Sequence, residues 1–119
     1  MISLWGPVAV YMAAIYYGAA LPVAPAVVSG ISDTVLHLSA NAGLALLTLR
    51  ATSGGRWSGV GRRALLLALV ITTLHGMSVE VEQMFVPTRF AEWRDVGNDV
   101  IGAFLGLSAA WAWGKLFKE

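Results

Sequence analysis

The sequence predicts an all-α polytopic bundle of four transmembrane helices, and three observations carry that expectation. Only 13% of the 119 residues are charged and 57% are hydrophobic, whereas an ordinary soluble domain carries about 25% charged residues. The mean hydropathy of +0.69 comes from long runs without charge. No charged side chain occurs from Met1 to Ser32, and residues 64–79 and 100–114 hold no titratable group except His75. A soluble core of this size could not absorb such a surplus, so lipid is the expected solvent. Four spans of about 20 residues use most of the chain and leave no room for a separate water-soluble domain, which makes 1–119 one membrane domain.

Segment one covers about residues 4–21 and stops where Pro22 and Pro25 remove backbone donors and push the preceding residues out of helical geometry. Ala24-Pro25-Ala26 resembles a signal-peptide cleavage site, but no basic residue precedes the run and its length exceeds a signal core, so an uncleaved anchor is expected. Segment two, about 32–50, starts at Ser32 and Asp33, whose oxygens suit the free amides of a helix N-terminus. A basic loop follows, in which Gly54, Gly55, Gly59 and Gly61 alternate with Arg56, Arg62 and Arg63. Segment three, about 63–84, is closed by Pro87. Segment four, about 95–114, ends among Trp111, Trp113, Lys115 and Lys118, the aromatic and basic types that gather at a membrane interface.

Arginine and lysine bias in short loops sets orientation. Arg50, Arg56, Arg62 and Arg63 around the second connection, with Lys115 and Lys118 near the end, make those faces cytoplasmic. Both termini are then expected on the cytoplasmic side of a cell (inner or cytoplasmic) membrane, with the regions around Asp33 and 85–95 facing outward. The net charge of +1 is thus a cancellation between a basic inner side and an outer side rich in Asp33, Glu80, Glu82, Glu92, Asp95 and Asp99. It offers no basis for nucleic-acid binding. The absence of cysteine excludes disulfides and thiolate chemistry.

The candidate functional residues fall at the outer end. Asp33, His37 and Asn41 are four apart and share one helical face; Glu80 and Gln83 share another, with Gly76 a turn deeper. Asp95, Asn98 and Asp99 open segment four. Carboxylates this close to lipid need partners, and Arg89 is the expected counter-charge for Glu80 or Asp95, with Arg94 second. Gly102, Gly106, Ala110 and Gly114 form a small-residue ridge suited to close helix packing.

Asp33-x-x-x-His37, then Glu80-x-x-Gln83-x-Phe85-x-Pro87-x-Arg89, then Asp95 ahead of Gly102 and Gly106, resembles the VanZ-like family of small multi-pass membrane proteins over about residues 33–106. Three positions depart from that family's pattern: Thr34 stands where it usually has lysine, Asn41 where it often has tyrosine, and Asp99 where it tends to have asparagine. The resemblance implies a bacterial envelope protein and a link to lowered susceptibility to the glycopeptide antibiotic teicoplanin, without implying a reaction.

Three roles fit the cluster of Asp33, His37, Glu80, Gln83, Arg89, Asp95 and Asp99. It organises the bundle through interhelical hydrogen bonds, or it binds an outer envelope component such as a lipid-linked sugar or peptide precursor. The alternative is an intramembrane hydrolase or transferase, with His37 as base oriented by Asp33 and Glu80 as the second acid or base. The His37 to Asn41 spacing also occurs in CAAX-type intramembrane proteases, but their paired-glutamate motif is missing here. No cofactor is implied, and a metal site drawing on His37, His75, Glu80 and Glu82 is disfavoured because His75 lies one to two turns deeper than the glutamates. Membrane lipids are the expected surroundings, and only a homo-oligomer would assemble enough helices for a transport path.

Overall fold

The computed structural model describes residues 1–20, 33–56, 60–86 and 93–116, apart from the side chain of Asp33. These residues form four helices, α1 (Ile2–Ala20), α2 (Asp33–Thr52), α3 (Arg62–Gln83) and α4 (Trp93–Leu116), and no strand occurs among them. The expected segments differ from these bounds by two residues at most. Pro22, Pro25 and Pro87 lie outside the described residues.

The helices run up and down. Arg50 at the end of α2 donates from Nη1 to the Ser3 carbonyl at 2.8 Å, which sets the start of α1 beside the end of α2. Thr52 Oγ1 donates to the Ala64 carbonyl at 3.0 Å, tying the same end to the start of α3. α2 closes with a reciprocal pair: the Gly55 amide bonds the Arg50 carbonyl at 2.8 Å and the Gly54 amide bonds that of Ala51 at 3.3 Å. This wrap requires a left-handed residue, supplied by Gly54 at φ +68° and followed by Gly55 at φ +89°.

α2 is the central helix. None of its residues from 41 to 52 is exposed, because α1, α3 and α4 all pack against it. Its closest approach is to α4, which runs parallel to it. A Cβ added to Gly102 would lie 2.5 Å from the Leu38 carbonyl oxygen, and one on Gly106 would lie 2.9 Å from that of Ala42. Only hydrogen fits at both positions, so the two backbones meet directly over one helical turn. Below this seam Ala45, Leu49, Ala68, Ala103, Leu107 and Ala110 form the main apolar cluster.

α1 docks through Val8 against Leu44 and Ala51. Tyr11 reaches past Gly43 and donates its hydroxyl to the Ala40 carbonyl at 2.8 Å. A Cβ on Gly43 would meet that hydroxyl at 2.5 Å.

The distribution of side chains runs against the soluble pattern. Many buried positions are held by small or polar residues, including Asn41, Thr48, Thr72, His75, Glu80, Gln83, Asp95 and Asp99, beside a few larger apolar ones such as Leu44 and Leu49, while Leu66, Leu67, Val70, Leu74, Met77, Val81, Ile101, Phe104 and Leu105 are exposed. Two helices, α1 and α3, are long and apolar enough to cross a membrane.

Candidate functional site

The polar residues converge where α2 begins, α3 ends and α4 begins. Their placement follows from the α2–α4 seam: with Gly102 against Leu38 and Gly106 against Ala42, the preceding turn of α4 brings Asp99 level with His37 and Asn41. Gly76 of α3 completes the fit, since a Cβ there would lie 2.7 Å from Asp99 Oδ2. Glycines on two helices thus admit one carboxylate to the centre of the bundle, where Asp99 is only 3% exposed.

Asp99 Oδ1 accepts two hydrogen bonds from α2, from His37 Nδ1 at 2.8 Å and from Asn41 Nδ2 at 2.7 Å. With the carboxylate ionised, His37 Nδ1 is the donor in this bond. Asn41 Nδ2 also donates to the His37 carbonyl at 3.1 Å, which locks the amide's orientation. The other ring nitrogen, His37 Nε2, faces Asp95 Oδ2 at 3.8 Å, beyond hydrogen-bond reach. Glu80 of α3 closes the group. One donor atom each from His37, Glu80 and Asp95 lie within 4.8 Å of one another. Glu80 and Asp95 are buried, while His37 keeps partial access to the end of the bundle.

A second polar group lies beside it on α3. His75 is buried against Tyr16, ring centroids 4.8 Å apart and planes at 72°, an edge-to-face pair. Neither His75 ring nitrogen completes a hydrogen bond of ordinary geometry. The Tyr16 hydroxyl is hydrogen-bonded to the Ser78 hydroxyl, and Ser78 Oγ is also 2.7 Å from the His75 carbonyl.

Of the residues singled out in the sequence, His37, Glu80, Asp95 and Asp99 come together. Gln83 is buried one turn further along α3. Arg89, the expected counter-charge, lies outside the described residues, and Arg94 is exposed. The expected His37–Asp33 pair involves a side chain outside them as well; the carboxylate that holds the His37 ring is Asp99. Gly102, Gly106 and Ala110 lie on the buried side of α4. Sequence reasoning overlooked the contributions of Tyr11 and Tyr16. Their signal was the set of three tyrosines, Tyr11, Tyr16 and Tyr17, in an otherwise apolar helix, since a tyrosine hydroxyl must find a partner when it is half-buried.

Comparison of the chain with protein families, with curated proteins and with solved structures found no match in any of the three.

Proposed function

We propose that this chain is a VanZ-like integral membrane protein of the bacterial envelope. It crosses the inner membrane four times with both termini in the cytoplasm, and its acid–histidine cluster at the outward end locks α2, α3 and α4 together and engages an envelope component. The observation that carries the reading is Asp99, which takes hydrogen bonds from two side chains of α2 while seated on Gly76 of α3.

Four crossings are supported although α2 and α4 are less apolar than α1 and α3. A hydropathy average counts every residue of a helix, whereas lipid meets only the exposed ones. α2 exposes nothing from 41 to 52, and the middle of α4 exposes Ile101, Phe104 and Leu105 while burying Asp99. The helices have 19, 20, 22 and 24 residues, or about 28–36 Å of rise, which suits a hydrocarbon core of about 30 Å.

Two departures from the VanZ-like pattern, Asn41 and Asp99, are hydrogen-bonded to each other. A changed residue on one helix is thus matched by a changed partner on another, which supports an organising role. A second reading, an intramembrane hydrolase or transferase, draws on the proximity of Glu80 to a histidine held by a carboxylate.

The test replaces His37, Glu80 and Asp99 singly with alanine and follows membrane accumulation together with teicoplanin susceptibility in the host. Loss of the protein from the membrane in every variant supports a purely organising cluster. Normal accumulation with altered susceptibility supports engagement of an envelope component. Normal accumulation with unchanged susceptibility in all three refutes both roles.

A further inference from the structure

We infer that His37 Nε2 and the carboxylates of Glu80 and Asp95 form a binding site for one divalent transition-metal cation, of which zinc is the best fit. The inference deepens the reading of the polar cluster and rests on it only for the site's position at the outward end of the bundle.

Three features of the geometry point to a cation. First, donors from three different helices converge: their ligand atoms lie within 4.8 Å of one another, and a tetrahedral metal about 2.0–2.2 Å from each holds them roughly 3.3–3.6 Å apart, so side-chain shifts of about 1 Å close the site. Second, the imidazole is set up as a ligand. Its Nδ1 hydrogen is committed to Asp99 Oδ1 at 2.8 Å, which leaves the Nε2 lone pair directed at Asp95 Oδ2, 3.8 Å away. In the neutral ring two electron-rich atoms then face each other, and a cation between them takes the place of the proton in a histidinium–carboxylate pair. The carboxylate–histidine–metal arrangement fixes the tautomer and raises the ring's basicity.

Third, the group that orients the histidine is itself held in place. Asn41 Nδ2 donates to the same Asp99 oxygen at 2.7 Å, while Asn41 Oδ1, buried with the residue only 5% exposed, accepts no hydrogen bond from the described residues. Asn41 therefore gives up an acceptor to keep Asp99 in position. The donor set differs from any that the sequence suggested, because Asp95 of α4 takes the place that His75 would have filled. One imidazole with two carboxylates suits zinc, manganese or ferrous iron, and the order of divalent affinities puts zinc ahead of the other two.

The experiment uses the full chain purified in detergent, stripped with a chelator and then exposed to zinc chloride, with manganese chloride in parallel. Bound metal is measured by elemental analysis after desalting, and thermal unfolding is followed with and without zinc. About one zinc per chain is expected, bound more tightly than manganese, with a higher Tm. Asp95→Asn and Glu80→Gln should each weaken zinc binding about tenfold or more, and Asp99→Asn should weaken it by about tenfold through the ring's orientation.

Each carboxamide variant is also melted without metal, which sets its own baseline. With zinc, the wild type alone should gain, so a poorly folded variant is distinguished from a metal-blind one. Failure of the wild type to retain zinc, or equal retention by Asp95→Asn and Glu80→Gln, overturns the site. Loss of binding in His75→Gln with retention in Asp95→Asn overturns the donor set. None of these readouts depends on membrane orientation, so a topology that contradicts the four-span reading leaves the metal result standing.

Discussion

Asp99 shows how much one side chain can carry when it is placed centrally. Its Oδ1 is the acceptor for both His37 and Asn41, and Gly76 exists as glycine so that its Oδ2 has room. Replacing Asp99 with alanine strands two donors, and each buried donor left without an acceptor costs about 1–3 kcal/mol. Asp99→Asn keeps one carbonyl oxygen and should lose less, because that oxygen can still accept from Asn41 or His37. The expected order of melting temperature is wild type, then Asp99→Asn, then Asp99→Ala, read by thermal unfolding in detergent in the absence of added metal. An alanine variant as stable as the asparagine one would mean that the oxygen is not the hub. The sequence made Asp99 visible as a polar residue at a helix start but could not name its partner. Spacing arithmetic pairs residues on one helix, such as Asp33 with His37, whereas the bond between His37 and Asp99 joins two helices and residues 62 apart in sequence.

At the scale of the elements, α1 contains a proline whose consequence falls on another helix. Pro7 lies inside α1 and has no amide hydrogen, so the Ser3 carbonyl four residues earlier receives no bond from it. That carbonyl is the acceptor for Arg50 Nη1 at 2.8 Å. The arginine of α2 thus satisfies a group that the proline of α1 releases, and in doing so fixes how far α1 slides along α2. Arg50→Met keeps most of the aliphatic stem and removes the donor; it should cost about 1 kcal/mol in the wild type, the scale of one hydrogen bond. In a Pro7→Ala background the helix bonds its own Ser3 carbonyl, and the same change should cost only a few tenths. A double-mutant cycle on thermal unfolding measures the difference, and equal costs in both backgrounds would dismiss the coupling. The extents of all four helices were legible to within two residues because proline, glycine and arginine punctuate the uncharged runs. The register between helices was not, since it is set by where Gly43, Gly76, Gly102 and Gly106 allow contact, and a list of glycines does not say which backbone or side chain each one admits.

For the whole molecule, the proposed four crossings turn on whether the less apolar helices meet lipid. α1 and α3 pass on apolar length alone, so α4 is the helix on which the readings part. Trp93 near its start and Trp111 and Trp113 near its end are all exposed, and Lys115 Nζ lies 5.2 Å from the Trp111 ring centroid, a cation held over an aromatic face. Indole rings favour the headgroup level on both sides of a bilayer, and the 18 residues from Trp93 to Trp111 rise about 27 Å, close to a hydrocarbon thickness of about 30 Å. If α4 spans, these tryptophans form two belts with Phe104 and Leu105 at mid-depth between them. Single-tryptophan chains reconstituted in vesicles, carrying tryptophan at 93, at 111 or in place of Phe104, should show this by quenching with lipids brominated at different depths. Positions 93 and 111 should be quenched best by bromines near the headgroups and position 104 by bromines near the bilayer centre. Were α4 to lie along the surface or pack outside the membrane, all three would report the same shallow depth or none. That result would overturn the four-span reading and would take the acid–histidine cluster, which α4 helps to build, out of the membrane with it.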